Sequence, residues 1–229
     1  MKINLSNIPT LDAVELGSFV VGTKALGEMV KGYKNLTKAS LAEDQTEKNE
    51  YLKEADENHL KGVSLLTISA IISGLKSGDW TYATMQPGFC LTTLKKYYES
   101  HTDEFSKLGK FNKKIVNLII KNWNLHSSIG TNLFLTFISL ELSEMNMANF
   151  FQIIGAAIAS VGLESINKLS GKFKIPKSQI LLLAGRISML VASTIKITDS
   201  PTGASAAWFL LMLWASYRNS IDLKNSLKI

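Results

Sequence analysis

Residues 145–163 carry no formal charge over nineteen positions, and residues 200–217 carry none over eighteen. Runs of that length leave two folds open. About 20 apolar residues suffice to cross a bilayer, and a helix buried on all sides of a globular core shows the same pattern. The polar residues within the runs favour the second. Asn146, Asn149 and Gln152 crowd the first run, and Ser200-Pro201-Thr202-Gly203 opens the second. Both are therefore expected to be core helices, with insertion of 145–163 and 200–217 into a membrane as the alternative. A chain of 229 residues, 46% of them hydrophobic, is long enough to bury a sizeable core.

Apolar spacing and Gly/Pro punctuation predict a mostly α chain. Leu11, Val14, Phe19, Ala25, Leu26, Met29 and Val30 mark one or two helices loosened by Gly17, Gly22 and Gly27. A polar helix over 40–59 and an apolar one over 62–75 follow, with further helices near 111–122, 129–143, 146–167, 177–197 and 204–218. One segment reads as β. Asp79-Trp80-Thr81-Tyr82-Ala83-Thr84-Met85 is aromatic and β-branched and Gln86-Pro87-Gly88 supplies a turn, so a short strand or hairpin is expected before a helix opening at Leu91. The expected fold class is mostly α: a two-lobed helical protein with one short β-hairpin and extended terminal arms. Its divisions are an arm over 1–10, an N-terminal lobe over 11–125, a C-terminal lobe over 126–217 and an arm over 218–229. The arms place Ile3, Leu5 and Ile8 at one end and Ile221, Leu223 and Leu227 at the other. Such side chains on polar tails are costly in water unless they dock, so these six are the expected oligomerisation residues.

Charge is unevenly spread. Residues 1–60 hold seven Lys against ten acids, whereas residues 61–229 hold eighteen Lys+Arg against nine. Two stretches lack acids altogether and share a Lys-Phe step: Lys107-Leu108-Gly109-Lys110-Phe111-Asn112-Lys113, and Lys168-Leu169-Ser170-Gly171-Lys172-Phe173-Lys174. Uncompensated cations favour a polyanion, and lysine without arginine suits sequence-tolerant contact with phosphates. Cys90 is the only cysteine, which excludes an internal disulfide and fits a reducing compartment. The first nine residues lack the apolar run of a signal peptide, so cytoplasmic residence is the default.

Signals for catalysis are poor. His59, His101 and His126 are far apart, and no Gly-x-Gly-x-x-Gly, Gly-x-Ser-x-Gly or phosphate-loop motif occurs. No enzyme activity, cofactor or metal is expected. Single-stranded RNA is instead held by cations that track phosphates and by faces that accept bases. The candidate RNA-binding residues are Lys76, Trp80, Tyr82, Lys95, Lys96, Lys110, Lys113, Lys114, Lys121, Lys168, Lys172, Lys174, Lys177 and Arg186.

The order Gly78-Asp79-Trp80-Thr81-Tyr82, Pro87-Gly88 and Leu91-Thr92-Thr93-Leu94-Lys95 resembles the middle of peribunyavirus nucleocapsid proteins, and Trp123 with Gly130-Thr131-Asn132-Leu133-Phe134-Leu135-Thr136-Phe137 resembles the start of that family's second lobe. The likeness covers about a quarter of the chain; Lys95 stands where the family has Arg, and the hairpin is shorter. It implies a nucleocapsid protein of two helical lobes with single-stranded RNA in a basic groove between them. It also implies terminal arms that join copies into rings or filaments, a viral polymerase as further partner, and residence in the host cytoplasm and virion interior. A membrane-associated helical protein and a helical adaptor with solubilising lysines are the alternatives, separated by detergent dependence and by the 260/280 nm absorbance ratio.

Overall fold

The computed structural model describes residues 12–122, 146–168, 175–199 and 201–227, and these are mostly helical. Helix α1 spans Ala13–Leu41 and α2 spans Gln45–Ser77, two long antiparallel rods joined at residues 42–44. Both begin on an aspartate cap: Asp12 accepts hydrogen bonds from the Val14 and Glu15 amides, Asp44 from that of Glu47, each at 3.0 Å. Such caps satisfy amides that the first turn leaves orphaned. Gly78 ends α2 in the left-handed region, with φ of 75°, where a side chain would add strain. Helices α3 (Thr81–Ser100), α4 (Thr102–Lys107), α5 (Lys110–Asn122), α6 (Met147–Lys168), α7 (Ile175–Asp199) and α8 (Gly203–Ser226) follow. The polar and apolar helices expected at 40–59 and 62–75 are one continuous rod, and α6, α7 and α8 contain the segments expected near 146–167, 177–197 and 204–218.

The expected β-hairpin is absent: Asp79–Gly88 is the entry to α3 and its first two turns. A short relay starts the helix, as the Ser77 hydroxyl accepts from the Asp79 amide at 3.1 Å and Asp79 accepts from the Thr81 amide at 3.0 Å. Thr81, Tyr82 and Gln86 are then all buried, a spacing that lies on one face of a helix and not of a strand. Tertiary packing overrides the β propensity of the segment.

The described helices share one core, and the expected division into two lobes finds no support among them. Ala25, Leu66, Ala70 and Tyr82 pack in a single cluster with Ala156, Ala159, Leu182, Met189, Ala204, Trp208 and Leu211, because α8 lies against α1 and α2 as well as α7. The lobe boundary at 125–126, the helix expected at 129–143 and the N-terminal arm with Ile3, Leu5 and Ile8 fall outside the described residues. The expected C-terminal arm is instead largely helical. Arg218–Ser226 completes α8, where the Tyr33 hydroxyl donates to Asp222 at 3.2 Å and Ser226 donates to Gln179 at 2.8 Å. Ile221 and Leu223 are half-buried within their own chain, and Leu227 is exposed just past the helix.

Small and polar side chains take up much of the interior. Among the described residues, eleven of the nineteen buried apolar ones are alanines, and the largest side chains sealed completely from solvent are Gln86, Gln152, Thr81, Ser18, Ser69, Ser193 and Ser205. Large aliphatic and aromatic residues point outward instead, including Ile68, Ile71 and Leu75 on α2, Phe150 and Ile154 on α6, and Ile180, Ile187 and Val191 on α7. Small residues let the backbones meet. A Cβ added at Gly155 of α6 would lie 2.6 Å from the Gly185 carbonyl oxygen of α7, and one at Gly162 would lie 2.5 Å from the Leu182 amide nitrogen.

A buried polar belt as candidate functional site

The starts of α1, α3, α6 and α8 and the ends of α2 and α7 converge at one end of the bundle, and short capping side chains give that end its chemistry. Buried Glu15 uses one carboxylate oxygen to accept from the Ser73 hydroxyl at 2.8 Å and from the Gly203 amide, tying α1 to α2 and α8. Its other oxygen, also buried, has no hydrogen-bond partner. One turn further along α1, Ser18 and Ser69 exchange hydrogen bonds with each other's carbonyls at 2.8 and 2.7 Å. Serines thus do on α1 and α2 what apolar packing does in most cores.

A second cluster joins α3, α6 and α7. Asp79 pairs with Lys196 at 2.6 Å, and the lysine side chain is only 5% exposed. The ammonium also lies 4.7 Å above the Tyr82 ring. Burial pushes the Asp79 carboxyl up, but Lys196 and the Thr81 hydrogen bonds outweigh it and hold the group below the ordinary carboxylate range. The Thr81 hydroxyl donates to Asn149 at 3.2 Å. Deeper in α6, Gln152 is fully buried with neither amide atom bonded, and the Gln86 amide nitrogen is likewise unpartnered. Such groups in an apolar interior are costly and call for a ligand, a water or a functional reason.

Charges form a ring at each end of the bundle. At the polar end lie Asp12 paired with Lys76 at 3.0 Å, then Asp79 with Lys196, then Asp199. The other end carries both signs: Lys24 and Lys31 on α1, Lys61 on α2, Lys95 and Lys96 on α3, Lys177 on α7 and Arg218 on α8 lie there with Glu28 on α1 and Glu47, Glu50, Glu54, Asp56 and Glu57 on α2. Between the rings, α2 carries no charge from Gly62 to Leu75, and α8 none from Gly203 to Tyr217. At 1.5 Å per residue these stretches measure about 21 and 22 Å.

The described residues among those expected to hold RNA are spread over α2, α3, α5, α6 and α7. Tyr82 is a core residue whose ring packs on Trp208 at 5.8 Å between centroids, and Trp80 covers Gly74, where an added Cβ would lie 2.9 Å from the indole. Tyr82 is thereby corrected from an RNA contact to a packing residue, while Trp80 stays half-exposed. Arg186 is corrected likewise: it is half-buried in the middle of α7 and donates to the Ala215 carbonyl at 3.1 Å, joining α7 to α8. Lys76 is engaged by Asp12, Lys95 by Glu99 at 3.7 Å and Lys96 by Asp56 at 3.2 Å. Lys110, Lys114 and Lys121 are exposed on α5 beside half-exposed Lys113, and Lys177 is exposed at the start of α7. Lys168 is the last residue of α6, and Lys172 and Lys174 lie outside the described residues.

Sequence reading passed over Glu15, Ser73, Asn149, Gln152 and the Asp79–Lys196 pair as site residues. Only the amides of α6 had left a trace, as polar interruptions in a charge-free run. Among the described residues, no group of three His, Cys, Asp or Glu side chains is placed to hold a metal ion. No known protein family, curated protein or solved structure matches this chain.

Proposed function

We propose that this protein is a helical membrane protein, and that the polar belt around Glu15, Asp79, Lys196 and Gln152 is its working site for a small polar or ionic solute. The observation that carries this reading is the inverted distribution of side chains. Water drives large aliphatic residues inward, whereas in lipid that force is gone and helices associate through small residues and hydrogen bonds. Alanine, glycine and serine inside with isoleucine, leucine, valine and phenylalanine outside is the pattern the second environment selects.

Two further features agree. Helices α2 and α7 are long and apolar enough to cross a membrane, and α6 carries a shorter apolar run over Met147–Gly162. On α2 and α8 the charged residues bracket apolar stretches somewhat thinner than the roughly 30 Å hydrocarbon core, a mismatch that lysine side chains relieve by reaching toward the headgroups. Ionisable and amide side chains inside such a bundle characteristically mark the path or resting place of a solute or proton. Membrane extraction tests the reading: the protein should stay with membranes through alkaline carbonate and leave only with detergent, and release by carbonate would refute it.

A second reading, binding of single-stranded RNA, draws its support from the absence of acidic residues in α5. A high 260/280 nm absorbance ratio after purification at modest salt would favour it.

A further inference from the structure

We infer that α5 is an interfacial helix that docks on an anionic lipid surface, its apolar row entering the acyl boundary and its lysine row meeting the headgroups. The inference rests on the membrane reading above and assigns a surface which that reading leaves unused.

Helix α5 runs Lys110–Asn122 with four lysines and no acid. At about 100° per residue, Lys110, Lys114 and Lys121 fall in one row, with Lys113 at its edge, and Phe111, Leu118 and Ile115 fall in the adjoining row. That second row faces solvent: Phe111 is 74% exposed, Leu118 64% and Ile115 43%. Val116 alone is buried, on the side where α5 rests on α3. A helix in water turns its large apolar residues inward, as α5 does with Val116, Ile119 and Ile120, but it presents Phe111, Ile115 and Leu118 beside its cations.

That pairing selects the occupant. Lysine and apolar rows side by side on an exposed helix match the boundary between headgroup and acyl chain. An RNA strand complements the lysines but gives Ile115 and Leu118 nothing to bury against, because bases stack on aromatic faces, and Phe111 is the single aromatic residue in α5. Position agrees with chemistry. Helix α5 follows the C-terminal end of α3, which Lys96 ties to Asp56 of α2 in the half of the bundle away from the polar belt. Anionic lipid attracts juxtamembrane lysines there.

The test uses the full-length chain with Cys90→Ser, carrying Phe111→Cys labelled with an environment-sensitive dye, in vesicles of phosphatidylcholine alone or with phosphatidylglycerol. Leu118→Cys serves as a second reporter should the first variant fold poorly, and Asn117→Cys reports the lysine row. Dye at 111 or 118 should shift to the blue and be quenched by lipids spin-labelled near the headgroup, more strongly in phosphatidylglycerol vesicles, while dye at 117 stays aqueous. Each of Lys110→Gln, Lys114→Gln and Lys121→Gln should lower the docked-to-free ratio about fivefold at low salt. Reporters at 111 and 118 that both stay aqueous in a protein resisting carbonate would overturn α5 docking and leave the membrane reading standing. A reporter that responds to single-stranded RNA but not to phosphatidylglycerol would overturn it in favour of RNA. Release by carbonate with the lipid response retained would support α5 as an anchor while removing the membrane-spanning reading.

Discussion

Breaking the Asp79–Lys196 pair from the aspartate side should destabilise the bundle much more than neutralising both partners. Asp79→Asn keeps a side-chain carbonyl that can still accept from the Thr81 amide, so the start of α3 survives and only the charge is lost. Lys196, at 5% exposure, then keeps a buried ammonium whose remaining favourable neighbour is the Tyr82 ring 4.7 Å away. Removing one partner of a buried pair costs about 3–5 kcal/mol. The Asp79 side chain is 27% exposed, which places the expectation near the low end, about 3 kcal/mol. For a chain of this length that corresponds to a fall in Tm of about 6–12 °C. Adding Lys196→Met to Asp79→Asn removes the stranded charge and should recover most of the loss, since neutral replacement of a buried pair is often tolerated. Acid gives a second readout. Because the folded Asp79 carboxyl sits below its ordinary value, its contribution is complete above the unfolded value of about 3.9 and disappears as pH falls through the lower folded one. The parent should lose this increment on acidification and Asp79→Asn should lack it. Thermal melts of the parent, the single and the double variant in one detergent, followed by circular dichroism, decide the matter. An Asp79→Asn melt within about 2 °C of the parent, or a double variant no better than the single, would refute the reasoning.

Gly185→Leu should abolish folding, because α7 and α6 meet backbone to backbone there, whereas Gly27→Ala, at an exposed position with open space around it, should stabilise α1 by up to about 1 kcal/mol; expression level and thermal melts read both. Gln152→Leu should raise stability by about 1–3 kcal/mol in the same melts, since it deletes a buried amide with no partner, and a lower Tm would show that the amide is satisfied by a bound solute or water. Excess lysine marks the cytoplasmic side of membrane proteins, so in a Cys90→Ser background Leu41→Cys, at the α1–α2 hairpin tip, should react with an impermeant maleimide only after cells are opened. Asp199→Cys, in the opposite charge ring, should react in intact cells, and the reverse pattern would invert the orientation.

The helical character of this chain was legible in its sequence, and so were the cores of α6, α7 and α8, because apolar runs between Gly, Pro and Ser punctuation are local signals. The acid-free lysines of α5 were equally plain, since charge is countable residue by residue. What occupies the interior was not legible. Trp80 and Tyr82 carry strand propensity, yet the Ser77–Asp79–Thr81 hydrogen bonds start a helix, and the neighbours Trp208 and Lys196 that bury Tyr82 come from more than a hundred residues away. Glu15 reads as one acid in a charged helix until Ser73 and the Gly203 amide are brought to it. The apolar composition was likewise compatible with a soluble core or with lipid contact, because a linear pattern records how many large apolar residues a helix carries and not which of them its neighbours cover. Only helix packing reveals that Ala, Gly and Ser fill the contacts while Ile, Leu and Phe face outward, since burial is set by pairs of residues far apart in the chain.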